Sequence, residues 1–130
     1  MIQTTNDQRK KLFWIEDDAL LGTILSREFS KTEFDITQVK TGEEALVLLK
    51  DQVPDVILID LLLPGGISGF DLLKEISVDP RFKSVPKIIL SNLSKPADIE
   101  KAKKLGADKF MVKADSSLER VIKEIRSEIV

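Results

Sequence analysis

The chain has 130 residues, 42% apolar and 32% charged, a balance that fits one globular domain and argues against a disordered segment. A formal charge of -2 leaves no basic excess for gripping a nucleic-acid backbone. With no Cys and no His, disulfides, thiolate chemistry, Ser-His triads, His-ligated zinc and His phosphotransfer are all excluded.

The start, Met1 to Asp7, lacks the apolar centre of a signal peptide, and no apolar run is long enough to span a bilayer. Residues 1–10 read as a flexible polar tail, residues 11–130 as one domain, and the default location is cytoplasmic. Leu12-Phe13-Trp14-Ile15 is an unbroken apolar run, as expected of a strand covered on both faces. Leu20, Leu21, Ile24, Leu25 and Phe29 follow helical spacing. Phe34 to Val39 forms a weaker second strand. Thr41 and Glu44 have capping-box form and open a helix through Leu49.

Val56-Ile57-Leu58-Ile59 is the clearest strand. A Pro/Gly-rich loop follows, and Ser68 caps a helix carrying Phe70, Leu73 and Ile76. Lys87 to Leu90 is the fourth strand. Ser94, with Pro96 in the first turn, starts a helix that stops near Gly106. Lys109 to Val112 is the fifth strand. Ser116 to Glu119 reads as another capping box, leading a helix with Leu118, Val121, Ile122, Ile125 and Ile129 on one face.

Strand and helix alternate five times, which predicts an α/β fold: a five-stranded parallel sheet, doubly wound (βα)5, a flavodoxin-like three-layer sandwich. Such a sheet places its chemistry just past the carboxyl ends of its strands. Those positions hold Glu16, Asp17 and Asp18, then Asp60, Ser91 and Lys113. Singly, each has an ordinary reading: Asp60 as a turn former, Asp18 as the first helix's cap, Glu16 and Asp17 as solvated loop acids, Ser91 as a loop hydroxyl, Lys113 as a surface lysine. Phe110 taken alone reads as core. Taken jointly, they bring three carboxylates together at one edge. Two like charges about 4 Å apart repel by roughly 4 kcal/mol at an effective dielectric of about 20. A divalent cation with oxygen ligands, Mg²⁺ or Mn²⁺, relieves that repulsion. A carboxylate beside such a cation can attack phosphorus. Asp60, at a fixed strand end, is the candidate nucleophile, with Lys113 and Ser91 as donors to the phosphoryl oxygens.

The chain resembles the receiver domains of bacterial two-component response regulators over its whole folded length. The resemblance rests on Trp14-Ile15-Glu16-Asp17-Asp18, Asp55 to Pro64, Ile88-Ile89-Leu90-Ser91, and Gly106 to Lys113. It implies Glu16 and Asp17 as the acidic metal pair, Asp60 as phosphoacceptor and metal ligand, and Leu62 as a backbone carbonyl ligand. It implies Ser91 as the switch hydroxyl, Lys113 as the phosphate-binding lysine and Phe110 as the aromatic that changes rotamer. A histidine kinase or phosphotransfer protein would donate the phosphoryl group. The fourth helix, fifth strand and fifth helix would carry the output to a downstream effector protein or a homodimer partner, with no direct nucleic-acid binding, no membrane contact and no enzyme turnover. Three departures stand out: a loop Gly65 to Gly69 one residue longer than the common pattern, Ala114 where the family usually has a cis Pro, and Asn92 where a small residue is common.

Rival readings are a non-phosphorylated interaction module on the same fold and a phosphatase working through an aspartyl intermediate. The latter lacks the second Asp two positions on, where Leu62 stands. Acids after the first strand would repel a flavin phosphate, and no glycine-rich nucleotide motif occurs. Lys101, Lys103 and Lys104 make the fourth helix locally basic, a solvated face or a partner surface. A stand-alone receiver and a piece of a longer regulator both fit the sequence.

Overall fold

The computed structural model describes residues 9–29 and 34–129. In chain order the elements are β1 (Lys10–Ile15), α1 (Ala19–Phe29), β2 (Phe34–Val39), α2 (Gly42–Leu49), β3 (Val56–Ile59), α3 (Gly69–Val78), β4 (Lys87–Ser91), α4 (Pro96–Lys104), β5 (Lys109–Val112) and α5 (Leu118–Glu128). The strands pair in parallel in the order β2-β1-β3-β4-β5. The order reverses between β1 and β3, so the crevice between their carboxyl ends is the topological switch point. β1 opens at Lys10, so it takes in the last residue of the expected tail; the rest of that tail up to residue 8 lies outside the described residues.

Period-two alternation divides the sheet's side chains between two helical layers. Phe13, Ile15, Ile57, Ile59 and Ile89 face one side, packed with Ala45 and Leu49 of α2, Leu72, Leu73 and Ile76 of α3, and Ala102 of α4. Leu12, Trp14, Val56, Leu58, Ile88, Leu90 and Met111 face the other, packed with Leu25 and Phe29 of α1 and Val121 and Ile125 of α5. Burying each of the Val, Leu, Ile, Phe and Met side chains among them stabilises the fold by about 1.5–3 kcal/mol. The result holds the central strand ends in fixed relation.

Helix starts agree with the sequence reading in part. Ser68 caps α3 through a full capping box with Asp71. Thr41 caps α2 by accepting from Glu44 N at 3.1 Å, but Glu44 Oε1 turns to Lys40 N (3.4 Å) and not to the cap's own N–H. The cap of α4 is Lys95, not Ser94, with no side-chain bond. Pro96 explains this: it sets the first helical position and forces the residue before it into extended backbone. The cap of α5 is Ser117, which accepts from Arg120 N at 3.2 Å. Ser116 instead closes the 3-10 turn Lys113–Asp115, its N–H donating to Lys113 O at 3.3 Å. Of the α4 lysines, Lys101 lies 4.3 Å over the Phe70 ring and Lys104 pairs with Glu100 at 3.0 Å.

Candidate functional site

The sheet's own hydrogen bonds run one residue past two strands. Glu16 N donates to Val39 O at 2.8 Å, and Asp60 N donates to Ile15 O at 3.0 Å. Both acids are therefore positioned by the ladder, not by a free loop, and both are buried. Asp18 N donates to Glu16 Oε2 at 3.0 Å, and Asp18 Oδ1 accepts from Leu21 N at 3.0 Å, so Asp18 caps α1. Asp60 Oδ1 accepts from Leu62 N at 3.0 Å.

Carboxylate oxygens of Glu16, Asp17 and Asp60 all lie within 4.8 Å of one another. Lys113 closes the group: its Nζ is 2.6 Å from Glu16 Oε1 and 2.9 Å from Asp60 Oδ2. One amine thus serves two buried carboxylates, while Asp17 stays exposed at the rim. Burial pushes the Glu16 carboxyl up; Lys113 and the Asp18 N–H pull it back and Asp60's charge adds to the rise, with a net upward direction. Burial alone would lower the Lys113 amine, but its bonds to Glu16 and Asp60 outweigh it and the amine ends raised. The net negative charge, all-oxygen donor set and exposed rim fit a hard divalent cation of the Mg²⁺ class.

Ser91 closes β4 at the same sheet edge, fully buried, its hydroxyl accepting from Leu93 N at 3.4 Å. Phe110 lies in β5 opposite Ile89, half-buried and packed on the α2–α3–α4 layer. Leu62 is exposed beside Asp60. The Lys113–Ala114 bond is trans, as no peptide bond among the described residues is cis, and Lys113 still reaches both carboxylates.

The long loop after β3 is held by contacts invisible in the sequence. Gly65 takes φ +94°, open to glycine at no steric cost, and Glu43 Oε2 accepts from Gly66 N at 2.8 Å. At its far end Gly69 lies against backbone: a Cβ there would sit 2.4 Å from both Asp60 O and Leu61 Cα. Gly69→Ala is therefore expected to lower stability by about 1–3 kcal/mol in urea unfolding; an unchanged midpoint would show that the loop gives way freely. Neither Glu43 nor Gln38, which reaches the β1–α1 loop from β2, carried a sequence signal, because each acts on backbone groups 20 to 23 positions away.

The residues assembled here match a family model described as response regulator receiver domain over residues 12–126. The chain belongs to that family. Relatives similar to this chain include a transcriptional regulatory protein, AfsQ1, of Streptomyces coelicolor, 33% identical over 102 residues covering 78% of this chain and 44% of that one. The rice two-component response regulator ORR3 is 28% identical over 112 residues, 85% of each chain. The structure of the receiver domain of the Francisella response regulator 1452 superposes with a TM-score of 0.82 at 27% identity, covering 93% of this chain and 97% of that one. The chain spans 43% to 48% of the length of four curated transcriptional regulators it matches. This receiver domain carries an acidic cluster, Glu16, Asp17 and Asp60, that could hold a metal ion. Among the described residues, no helix is long and apolar enough to cross a membrane.

Proposed function

We propose that this receiver domain takes a phosphoryl group on Asp60 and relays a signal by changing the surface formed by α4, β5 and α5. The observation that carries the reading is the amine of Lys113 held 2.9 Å from Asp60 inside a cluster of three acids. One Asp60 carboxylate oxygen attacks phosphorus, forming an O–P bond as the donor's bond to phosphorus breaks and its electron pair leaves with the donor. Lys113 then turns from neutralising Asp60 to pairing with the added phosphoryl oxygens, and the Ser91 hydroxyl donates to one of them. Phe110 packs into the space vacated on that side, which couples the site to the output face. Glu16, Asp17, Asp60 and the Leu62 carbonyl would hold Mg²⁺ or Mn²⁺. When bound, that ion supplies charge neutralisation for the transferring phosphoryl group.

In this reading the phosphoryl donor is a histidine kinase or phosphotransfer protein, and the domain is a cytoplasmic switch, not an enzyme turning over a substrate. The α4–β5–α5 face serves a downstream effector or a second copy. Residues 11–130 act as one receiver unit. The test is incubation of the chain with a small-molecule phosphodonor and Mg²⁺, followed by intact-mass measurement. One added phosphoryl group that disappears when EDTA is present is expected. A chain that stays unmodified under saturating donor and metal is instead a receiver-fold interaction module.

A further inference from the structure

Gln38 stands in β2, opposite Trp14 of β1, at the edge that carries the acids. Its Nε2 donates to Glu16 O at 2.8 Å and reaches Asp18 O at 3.4 Å. One amide group thus ties down the first and last carbonyls of the Glu16-Asp17-Asp18 turn. The Asp18 carbonyl also accepts from Gly22 N at 3.0 Å, so turn and helix start share one anchor.

A second observation points the same way. Gly22 lies inside α1, where a glycine costs about 1 kcal/mol relative to alanine. It has no positive-φ backbone to justify it. A Cβ at Gly22 would fall 1.9 Å from Gln38 Oε1, 2.6 Å from its Cδ and 2.7 Å from its Nε2. The helix therefore gives up a side chain at the one place where the Gln38 amide must sit. The amide is uncharged, so it fixes the turn without adding to the acids' repulsion or competing with Lys113 for their oxygens.

We infer that Gln38, seated on Gly22, is a positioning residue that sets the separation at which Glu16 and Asp17 present their carboxylates to a cation. The inference rests on reading those acids as metal-holding. It acts through the turn's backbone, so the property it governs is metal affinity, not the chemistry of Asp60. Without the amide, the turn can relax so that Asp17 swings away from Glu16 under their mutual repulsion.

The test is calorimetric titration of Mg²⁺ into the full chain, with Trp14 emission as a second readout and the thermal midpoint of the metal-free chain as a control. Gln38→Leu and Gly22→Ala are each expected to raise the Mg²⁺ Kd about 10-fold. The double variant Gly22→Ala with Gln38→Ala should bind no more weakly than Gln38→Ala alone, because the new methyl then occupies vacated space. A Kd within twofold of the parent for both single variants overturns the inference, as does a further tenfold loss in the double variant. A merely structural role would lower the midpoint and leave Kd in place. Should Gln38→Leu fail to fold, Gln38→Asn keeps the amide but is too short for both carbonyls. It carries the same expectation and is overturned by an unchanged Kd. A parent chain that shows no Mg²⁺ binding overturns the metal reading itself, a result separate from failure of the Gln38 variants.

Discussion

Replacing Asp60 with Asn is expected to cut phosphoryl labelling by a small-molecule donor at least ~100-fold, because a carboxamide offers no anionic oxygen to attack phosphorus. The fold should survive. Asn keeps an oxygen to accept the Leu62 N–H bond at 3.0 Å. It loses the ion pair with Lys113 but also removes a like charge from beside Glu16, and these effects oppose each other. Intact mass after incubation with donor and Mg²⁺ measures the first claim and circular dichroism the second. Labelling at the parent rate would move the phosphoacceptor to another residue, and peptide mapping would locate it.

Lys113→Met should show the other large effect, on stability as well as labelling. Lys113 is the amine that faces Glu16 and Asp60 together, at 2.6 and 2.9 Å, and both carboxylates are buried. Removing one partner of a buried pair leaves an uncompensated charge, so a loss of about 3 kcal/mol is expected at neutral pH without metal. The sign of its pH dependence follows from Glu16. Burial already raises this carboxyl from 4.5, with Asp60 adding to the rise, and the lysine's opposing pull is gone in the variant. A carboxyl raised in the folded state holds its proton after the unfolded chain has lost its own. The penalty therefore grows as pH climbs above about 4.5 and shrinks on acidification. Urea unfolding at pH 5 and pH 8 measures this. Mg²⁺ should restore a larger share of stability in the variant than in the parent, since it replaces the missing positive charge. Labelling should also fall about 10²-fold, as the incoming phosphoryl oxygens lose the positive charge of the Lys113 amine. Equal urea midpoints for variant and parent at both pH values would mean that Lys113 is dispensable to the acid cluster.

The strands were legible because burial on both faces demands unbroken apolar runs, as in Leu12 to Ile15 and Val56 to Ile59, and neither run has another use. The acids after them were legible because a doubly wound sheet puts ligands at its carboxyl edge. Helix caps were less so. Ser94 and Lys95, or Ser116 and Ser117, are neighbouring candidates whose choice depends on where the preceding loop places the chain. The Lys113–Asp115 turn shifts the α5 cap by one residue, and nothing in local propensity announces that turn.

Which chemical groups stand at the ends of the strands is a property of the order of residues alone, since strand–helix alternation makes a parallel sheet whose carboxyl ends all share one edge. Their spacing belongs to the tertiary structure. Lys113 meets Asp60 across 53 positions, and Gln38 meets the Glu16 carbonyl across 22. Contacts over such separations depend on strand register, on how the turns leave the sheet and on a missing side chain at Gly22. No local pattern encodes these, because each is settled only when two layers of helices pack against the same five strands.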